Sequence, residues 1–319
     1  MPTLTQFEYL VALNKERHFA RAAELCHVSQ PSLSLQIQKL EEEYGVIIFD
    51  RSQSPVLVTE IGAEIIKQAQ VILSEAKKLA FLAKNQTGTA KGELHLAVIP
   101  TVAPYLIPLF LHHFAKNNPL VHLKISEHKT NDIIKLLLDD EIDAAILSTP
   151  LNHNSIVERH LYFEPFSVFL NKKHPLSKLK NLKEEHLQDL PLWLLEEGHC
   201  MRSQVLQICQ RGPKQGILSN VQFTSGQLET LKNLVLMGEG ATLLPQLSIL
   251  NLTIREKELY VRGFGGGKVP TREIGLVHSR TFYKESILNA LETSILSSLP
   301  KSISSIKKSK IDVIKLTQQ

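Results

Sequence analysis

The chain has 319 residues, 43% of them hydrophobic and 21% charged, a composition typical of a folded protein of about two domains and not of a disordered chain. No apolar stretch approaches the roughly 20 residues that cross a bilayer, and the N-terminus does not resemble a secretory signal, so we expect a cytoplasmic protein without membrane contact. Three cysteines do not suit a disulfide scaffold. The net charge of +4 equals that of residues 301–319 alone, which hold five lysines and one aspartate, so it does not identify a nucleic-acid-binding protein.

Two short helices are predicted first. Thr3 has capping-box spacing to Gln6 at the start of the first helix. The second helix is predicted over Phe19–Cys26, where the small residues Ala22 and Ala23 allow a neighbouring helix to approach closely. The apolar stripe of the first helix consists of Leu4, Phe7, Leu10 and Val11.

A third helix is predicted from Ser29, as N-cap, to about Tyr44, with Pro31 in its first turn. Two helices joined by so short a link predict a helix-turn-helix, the arrangement that places its second helix in the major groove of DNA. A three-helix packing module that binds no nucleic acid is the alternative. The predicted buried face of the third helix consists of Leu33, Ile37, Leu40 and Tyr44.

The next segments predict a wing and a long helix. The apolar runs Val46–Phe49 and Val56–Val58 indicate a β-hairpin with a polar tip. Thr59 then caps a long helix whose apolar positions recur in a heptad-like pattern that one helix cannot bury alone, so we expect dimerisation. The polar residues 85–92 follow as a linker. The heptad-like positions are Ile61, Ile65, Ala69, Ile72, Ala76, Leu79 and Ala83.

From Glu93 onward the pattern alternates between strands and helices, which predicts an α/β domain with mainly parallel sheets and two lobes around a cleft. The predicted strands are Leu94–Ile99, Val121–Ser126, Ala144–Leu147, Phe166–Leu170, Trp193–Leu195 and Ile274–His278, and the predicted helices are Tyr105–Ala115, Ile133–Leu138, Gln227–Met237 and Tyr283–Leu299. The predicted domains are a DNA-binding domain at 1–58, a dimerisation helix at 59–84, a hinge at 85–92, an effector domain at 93–299 and a basic, solvated tail at 300–319.

The face of the third helix opposite its apolar stripe is the surface that would meet DNA. Its hydroxyl and amide groups suit base edges and phosphates, and the wing adds Arg51 as a minor-groove or backbone contact. The candidate DNA-binding residues are Gln30, Pro31, Ser32, Ser34, Leu35, Gln38, Lys39 and Arg51.

The segment Ala22–Glu41 resembles the helix-turn-helix of LysR-type transcriptional regulators, and the order of segments along the chain is similar to that of this family. The resemblance implies a winged helix-turn-helix with a dimerisation helix, then a two-lobed effector domain like a periplasmic binding protein. It also implies a dimer that assembles into a tetramer, promoter DNA as partner and contact with RNA polymerase. Many relatives carry a basic or polar residue where Leu35 stands, so Leu35 is limited to apolar contacts such as a thymine methyl.

The segment Glu196–Cys209 is the strongest candidate for a signal-receiving site. Cys200 lies beside His199 and near Arg202, which favour a nucleophilic thiolate. A thiolate oxidised to sulfenic acid condenses with a second thiol, and Cys209 is the only other cysteine of this domain. If residues 200–209 are helical, their ends lie roughly 13 Å apart while a disulfide needs about 4.4–6.8 Å, so the helix would have to unwind.

Purely structural roles for these residues remain open as alternatives. Cys209 and Cys26 suit a small buried apolar position, the common fate of a free cysteine. No second histidine or closely spaced cysteine pair completes a metal site with His199 and Cys200, so we expect no metal and no cofactor. The glycine-rich stretch Gly263–Lys268 predicts a flexible loop, since it lacks the context of a phosphate loop.

Within the LysR-type family, the chain resembles the branch that senses hydrogen peroxide. The similar segments are Ile99–Leu106, Glu197–Arg202, Leu228–Val235, Gly240–Pro245 and Ile274–Val277. The resemblance implies that Cys200 is the peroxidatic and Cys209 the resolving cysteine, that a peroxide pocket contains Thr101, Thr130, His199 and Arg272, and that glutaredoxin or thioredoxin reduces the disulfide.

Each pocket residue also has a structural interpretation as a helix cap, a turn residue or a surface ion pair. Ser203 departs from relatives that have an acidic residue there, which puts the reactivity of Cys200 in question. The predicted function is redox-responsive transcription regulation without enzyme activity. The alternatives are a metabolite-responsive LysR-type regulator with incidental cysteines and a solute-binding or peroxidase-like protein.

Overall fold

The computed structural model describes residues 1–84, 90–188, 190–209, 225–238, 240–280 and 282–316. Most of the predicted hinge, at 85–89, lies outside the described residues. The chain divides into two compact units, one of Met1–Gly88 with Thr281–Lys284 and one of Thr89–Arg280 with Glu285–Gln319. None of the described helices combines the length and apolar character that a membrane span requires.

The first unit consists of four helices and a small hairpin. Its elements are α1 (Leu4–Glu16), α2 (Phe19–Leu25), α3 (Gln30–Tyr44), β1 (Phe49–Asp50), β2 (Leu57–Val58) and α4 (Glu60–Lys84). The antiparallel β1–β2 pair is the predicted wing. Its core contains Leu10, Leu13, Leu33, Ile37, Leu40, Ile48, Phe49 and Ile66.

The predicted caps of the first unit are confirmed. Thr3 and Gln6 form a reciprocal capping box at α1. The Ser29 hydroxyl accepts a hydrogen bond from the Ser32 amide, with Pro31 in the first turn of α3. The Thr59 hydroxyl accepts from the Gly62 amide at 3.0 Å. These contacts span three residues, so the sequence alone is sufficient to predict them.

Two details of apolar packing differ from expectation. Tyr44 is 44% exposed, so its assignment to the buried face of α3 was wrong: α3 ends there because Gly45 adopts a left-handed φ of 66°. On α4, Ile66 and Ala69 pack into the core, whereas Ile61, Ile72 and Leu79 are exposed within the chain. Four of the seven heptad-like positions, these three and Ala83, are therefore exposed within the chain.

The second unit is a mixed sheet with helices on its faces. Its strands are β3 (Gly92–Val98), β4 (Val121–Glu127), β5 (Ala144–Thr149), β6 (Ile156–Leu170), β7 (Asn181–Leu182), β8 (Ala241–Pro245), β9 (Val261–Phe264), β10 (Val269–Ser279) and β11 (Ile311–Val313). Its helices are α5 (Ala103–Asn117), α6 (Thr130–Leu138), α7 (Cys200–Ile208), α8 (Leu228–Leu236), α9 (Ile254–Tyr260), α10 (Glu285–Ser298) and α11 (Lys301–Ser304).

Strand order is β4-β3-β5-β10-β6-β9-β7, with β11 beside β10 and β8 beside β6. Strand β6 belongs to both lobes, because its first part pairs with β10 and its last part with β8 and β9. The expectation of mainly parallel sheets was wrong. β10 runs antiparallel to both β5 and β6, and β6 runs antiparallel to β8 and β9. These directions arise because the chain returns through the sheet between the lobes.

The predicted strand Trp193–Leu195 forms only isolated bridges, Leu192 to Ala241 and Leu195 to Ser225. The solvated tail was also a wrong prediction for residues 301–316. Ile303 and Ile311 are buried, and β11 pairs in parallel with the start of β10. The apolar residues among the lysines dock the tail on the sheet.

Candidate functional site

The centre of the second unit is a buried ion pair between two neighbouring strands. Arg272 on β10 lies directly opposite Glu164 on β6 in the register of the sheet. Both side chains are fully buried, and the guanidinium donates to Glu164 Oε2 from Nε at 2.9 Å and from one terminal nitrogen at 2.7 Å. Glu164 Oε1 accepts from the Leu247 amide at 2.7 Å. A buried charge pair is stable only with such additional partners.

The remaining donors of Arg272 bind Thr101, which follows the end of β3. The guanidinium donates to the Thr101 hydroxyl at 3.0 Å and to the Thr101 carbonyl at 3.1 Å. Burial disfavours the charged form of Arg272, but its interaction with Glu164, followed by those with Tyr162 and Cys200, outweighs this effect and raises its pKa. Arg272 therefore keeps its positive charge, and that charge acts on Cys200.

Cys200 is the first residue of α7, and its side chain is half-buried. His199 is the N-cap residue. The N-terminus of a helix carries partial positive charge from its free amides, and an anion there is stabilised. Cys200 thus lies at a helix N-terminus and interacts electrostatically with the buried guanidinium of Arg272.

A cavity of about 320 Å³ opens beside Cys200. Thr130, the first residue of α6, and His199 line it together with Cys200, while Ser203 and Leu316 contribute other parts of the wall. Among the described residues, Thr130 Oγ1 and His199 Nε2 are buried polar atoms for which the structure contains no hydrogen-bond partner. Buried polar atoms are normally satisfied, so these two side chains keep hydrogen-bonding capacity that the described residues do not use.

The imidazole of His199 lies beside an exposed ion pair. Lys129 and Glu196 pair at 2.6 Å, and His199 Nε2 lies 3.8 Å from Glu196 Oε1, too far for a hydrogen bond. Burial, followed by the charge of Lys129, lowers the pKa of His199, and this outweighs the opposing effect of Glu196. The ring is neutral near pH 7, so each ring nitrogen can act as donor or acceptor according to the tautomer.

Cys209 lies at the other end of α7 in a different environment. It is the C-cap residue and is buried. Burial, helped by the charge of Glu184, raises the pKa of Cys209 to about 11. Because α7 is helical over the whole interval, the Cα atoms of the two cysteines are roughly 13 Å apart, well beyond disulfide reach.

On α3, the candidate DNA-binding face is solvent-exposed. Ser34 is half-buried, and the others are exposed: Gln30, Pro31, Ser32, Leu35, Gln38 and Lys39. Arg51 on the wing has partners within the chain, since it pairs with Glu41 at 2.6 Å and lies 5.3 Å from the centroid of the Phe19 ring. Glu41 Oε1 also accepts from the Ile48 and Phe49 amides, so this carboxylate ties the wing to α3.

Sequence reasoning named most of this site but missed several residues. The structure brings Thr130, His199 and Cys200 to one cavity and joins Thr101 to Arg272. Glu164 was missed, although a carboxylate in the apolar run Leu161–Phe166 was a signal for a buried ion pair. Leu316 carried no such signal. Across the described residues, His, Cys, Asp and Glu side chains do not form a cluster suited to a metal ion.

Two family models match the chain. Residues 4–63 match the model described as a bacterial regulatory helix-turn-helix protein of the lysR family. Residues 87–299 match the LysR substrate binding domain. Together they cover most of the chain. The first matches the helical N-terminal unit, and the second matches the unit built on the mixed sheet.

Similar proteins carry one consistent description. A "Hydrogen peroxide-inducible genes activator" of Pectobacterium carotovorum is 36% identical over 275 residues, 86% of this chain and 89% of that protein. The "DNA-binding transcriptional dual regulator OxyR" of Escherichia coli K12 is also 36% identical, over 86% of this chain and 88% of its own length.

Solved structures agree with these relatives. A full-length OxyR variant from Pseudomonas aeruginosa, with one cysteine replaced by aspartate, has a TM-score of 0.75 and 34% identity, covering 93% of this chain and 98% of its own. A cysteine-to-serine OxyR mutant from Corynebacterium glutamicum, bound to H2O2, has a TM-score of 0.60 and 30% identity, covering 93% and 94%. The chain therefore belongs to the LysR-type transcriptional regulators and, within them, to the OxyR family.

Proposed function

We propose that this protein is a hydrogen peroxide-responsive transcriptional regulator in which Cys200 is the sensing thiol and Cys209 the resolving thiol. The observation that carries the proposal is the cavity whose wall contains Cys200 together with Thr130 and His199, two residues that each have a buried polar atom without a partner in the described part of the chain. HOOH is a small molecule that both donates and accepts hydrogen bonds, so a wall with a hydroxyl and an imidazole group suits it. The names of the relatives and the peroxide-bound neighbour support the same ligand.

The first step oxidises Cys200. Its thiolate sulfur attacks one peroxide oxygen, a sulfur–oxygen bond forms, the oxygen–oxygen bond breaks, and the departing hydroxide takes a proton to become water. The sulfur loses two electrons, which reduce the peroxide, and a sulfenic acid remains. The charge of Arg272, held by Glu164 and Thr101, would stabilise the developing hydroxide.

The second step joins the two ends of α7. The sulfur of Cys209 attacks the sulfenic sulfur of Cys200, a disulfide forms, and water leaves with the proton of the Cys209 thiol. The roughly 13 Å separation along the helix requires α7 to unwind before the bond closes. One oxidation event thus becomes a refolding event, the kind of bistable change that a subunit interface can register.

The output is promoter binding by the winged helix-turn-helix. We infer that the exposed seam of α4, with Ile61, Ile72 and Leu79, pairs with a second copy, and that two dimers form a tetramer. The redox state of α7 would set the spacing of the DNA-binding heads and the contacts with RNA polymerase in the cytoplasm. Glutaredoxin or thioredoxin would reset the switch by thiol–disulfide exchange.

Exposing the reduced protein to one equivalent of hydrogen peroxide tests the sensing step. Cysteine states are mapped by mass spectrometry within seconds, with Cys200→Ser as the matched variant. We expect a prompt Cys200–Cys209 disulfide that is absent in Cys200→Ser. Thiols that stay reduced in excess peroxide would reject the proposal and direct attention to a metabolite in the same cavity.

The DNA-binding part has a separate test. Lys39→Ala should weaken promoter binding across sequences and reduce the salt slope by about one unit, because one phosphate contact is lost. Lys67→Ala, which removes an exposed charge from α4, is the matched control. Equal effects of both variants would argue against α3 as the DNA-reading helix.

A further inference from the structure

The C-terminal segment is part of the wall of the Cys200 cavity. Leu316 lines the same cavity as Cys200 and Ser203, although more than one hundred residues separate them in the sequence. The proposed function does not use this segment, and the segment was expected to be a solvated extension. Its position in the cavity wall indicates that this segment has a role at the site.

Several contacts hold the segment in place. Ile303 and Ile311 are buried, and Lys308 Nζ lies 5.8 Å from the centroid of the Phe163 ring. β11 pairs with the first residues of β10, and the Ile314 amide donates to the Thr271 carbonyl at 2.9 Å. The strand that carries Arg272 therefore also positions the tail.

The segment also touches α7 on the face that carries the reactive thiol. Residues separated by three or four positions share one side of a helix, so Cys200, Ser203 and Gln204 lie together. The Ile314 carbonyl accepts a hydrogen bond from Gln204 Nε2 at 3.4 Å. Ile314 and Leu316 are half-buried while Lys315 between them is exposed, which is the alternation of an extended chain with one side against the protein.

Cavity volume alone does not select a small peroxide. About 320 Å³ lies within the usual range of sites for drug-sized ligands, roughly 300–1,000 Å³. An organic hydroperoxide would fit unless a side chain blocks its approach to sulfur. Leu316 is an apolar, branched side chain that offers no hydrogen bond and occupies space in this wall.

We propose that Ile311–Leu316 is a size filter for the Cys200 cavity, in which Leu316 admits hydrogen peroxide and excludes bulky alkyl and aryl hydroperoxides. The reaction being filtered is the attack of the Cys200 thiolate on the terminal oxygen of ROOH. A sulfur–oxygen bond forms, the oxygen–oxygen bond breaks, and RO⁻ leaves and is protonated by water to ROH. This peroxide selectivity rests on the proposed function, whereas the steric role of Leu316 does not.

The test compares Cys200 oxidation by hydrogen peroxide and by cumene hydroperoxide in the full-length reduced protein. Leu316→Ala should raise the ratio of the cumene hydroperoxide rate to the hydrogen peroxide rate about tenfold, the lower end of the range for one methylene group in a hydrophobic pocket. Leu316→Met conserves volume and should keep the wild-type ratio. Lys315→Ala, on the exposed position next to it, is the matched control.

A second readout separates this inference from the proposed function. Cys200 alkylation by iodoacetamide and by fluorescein maleimide is followed by mass spectrometry of the Cys200 peptide. Leu316→Ala should raise the ratio of bulky to small alkylation, and Lys315→Ala should not. If this ratio shifts but no peroxide oxidises Cys200, the proposed function fails and the steric filter stands. If both ratios in Leu316→Ala equal those in Lys315→Ala, the filter is rejected.

Discussion

The two ends of α7 carry the same chemical group in opposite environments. At the N-terminal end, the Cys200 thiol is half-buried, borders a cavity and lies in the field of Arg272. At the C-terminal end, the Cys209 thiol is buried, and its pKa is raised to about 11. The position on the helix therefore gives two residues of the same type different burial and different neighbours.

This difference teaches how one helix can separate sensing from resolving. Cys209 is protonated and shielded while α7 is folded, so it cannot compete with Cys200 for an oxidant. In the proposed mechanism, unwinding of α7 would remove the burial that raises the pKa of Cys209 and would bring its thiol to the sulfenic acid. The helix would thereby keep the two steps in order.

The largest expected effect comes from removing the second thiol. In Cys209→Ser, peroxide should still oxidise Cys200, but the product should stop at the sulfenic acid, because no other described cysteine lies in this unit. Labelling with dimedone and mass spectrometry measures the trapped species. A disulfide from Cys200 to Cys26 at the wild-type rate would contradict the proposed role of Cys209 as the resolving thiol.

The next effect concerns the charge behind Cys200. Glu164→Gln leaves the fully buried Arg272 without its counter-charge and should lower the free energy of unfolding by about 3–5 kcal/mol, as found when one member of a buried ion pair is removed. Chemical denaturation measures the change. Glu93→Gln, which weakens an exposed pair with Lys124, is the control and should cost less than about 1 kcal/mol. Equal losses would mean that burial does not strengthen the central pair.

A smaller effect follows from the titration of Cys209. Its pKa is raised in the folded state from an ordinary value of 9.0 to about 11, so between these values the folded protein binds more protons than the unfolded chain. The resulting stabilisation is full below about pH 9 and is lost as pH rises towards 11, by about 3 kcal/mol in total. Urea unfolding of the reduced wild type and of Cys209→Ala across this range measures it. A parallel pH dependence in both proteins would contradict the assigned burial of Cys209.

The smallest effect lies between the two ends of the helix. Gln204→Leu removes the bond to the Ile314 carbonyl and also Gln204 Oε1, a buried atom without a partner among the described residues, so the free energy of unfolding should change by less than about 1 kcal/mol. Disulfide formation should be faster, because α7 loses one contact that opposes its unwinding. Stopped-flow oxidation by peroxide measures the rate, with Ser203→Ala on the same helix face as comparison. An unchanged rate would show that the contact between Gln204 and Ile314 does not oppose the unwinding of α7.

The predictability of the fold differs between the two units. The caps at Thr3, Ser29 and Thr59 were predictable because donor and acceptor lie three residues apart. The mixed direction of the sheet was not, since alternating strand and helix patterns carry no record of which strands become neighbours. Leu316 was missed for the same reason. The pairing of β11 with β10, and not spacing along the chain, brings Leu316 to the cavity that Cys200 lines.

Local interactions thus made the helix-turn-helix, the wing and the helical spacing of Cys200 and Cys209 predictable from the sequence. The family resemblance supplied the proposed roles of the two cysteines. The Glu164–Arg272 pair, the grouping of Thr130, His199 and Cys200 around one cavity, and the docked tail depended on tertiary structure. Glu164 and Arg272 are 108 residues apart, and only the register of β6 against β10 makes them face each other. Burial then converts this proximity into chemistry, because a charge removed from water acts strongly on whatever lies beside it.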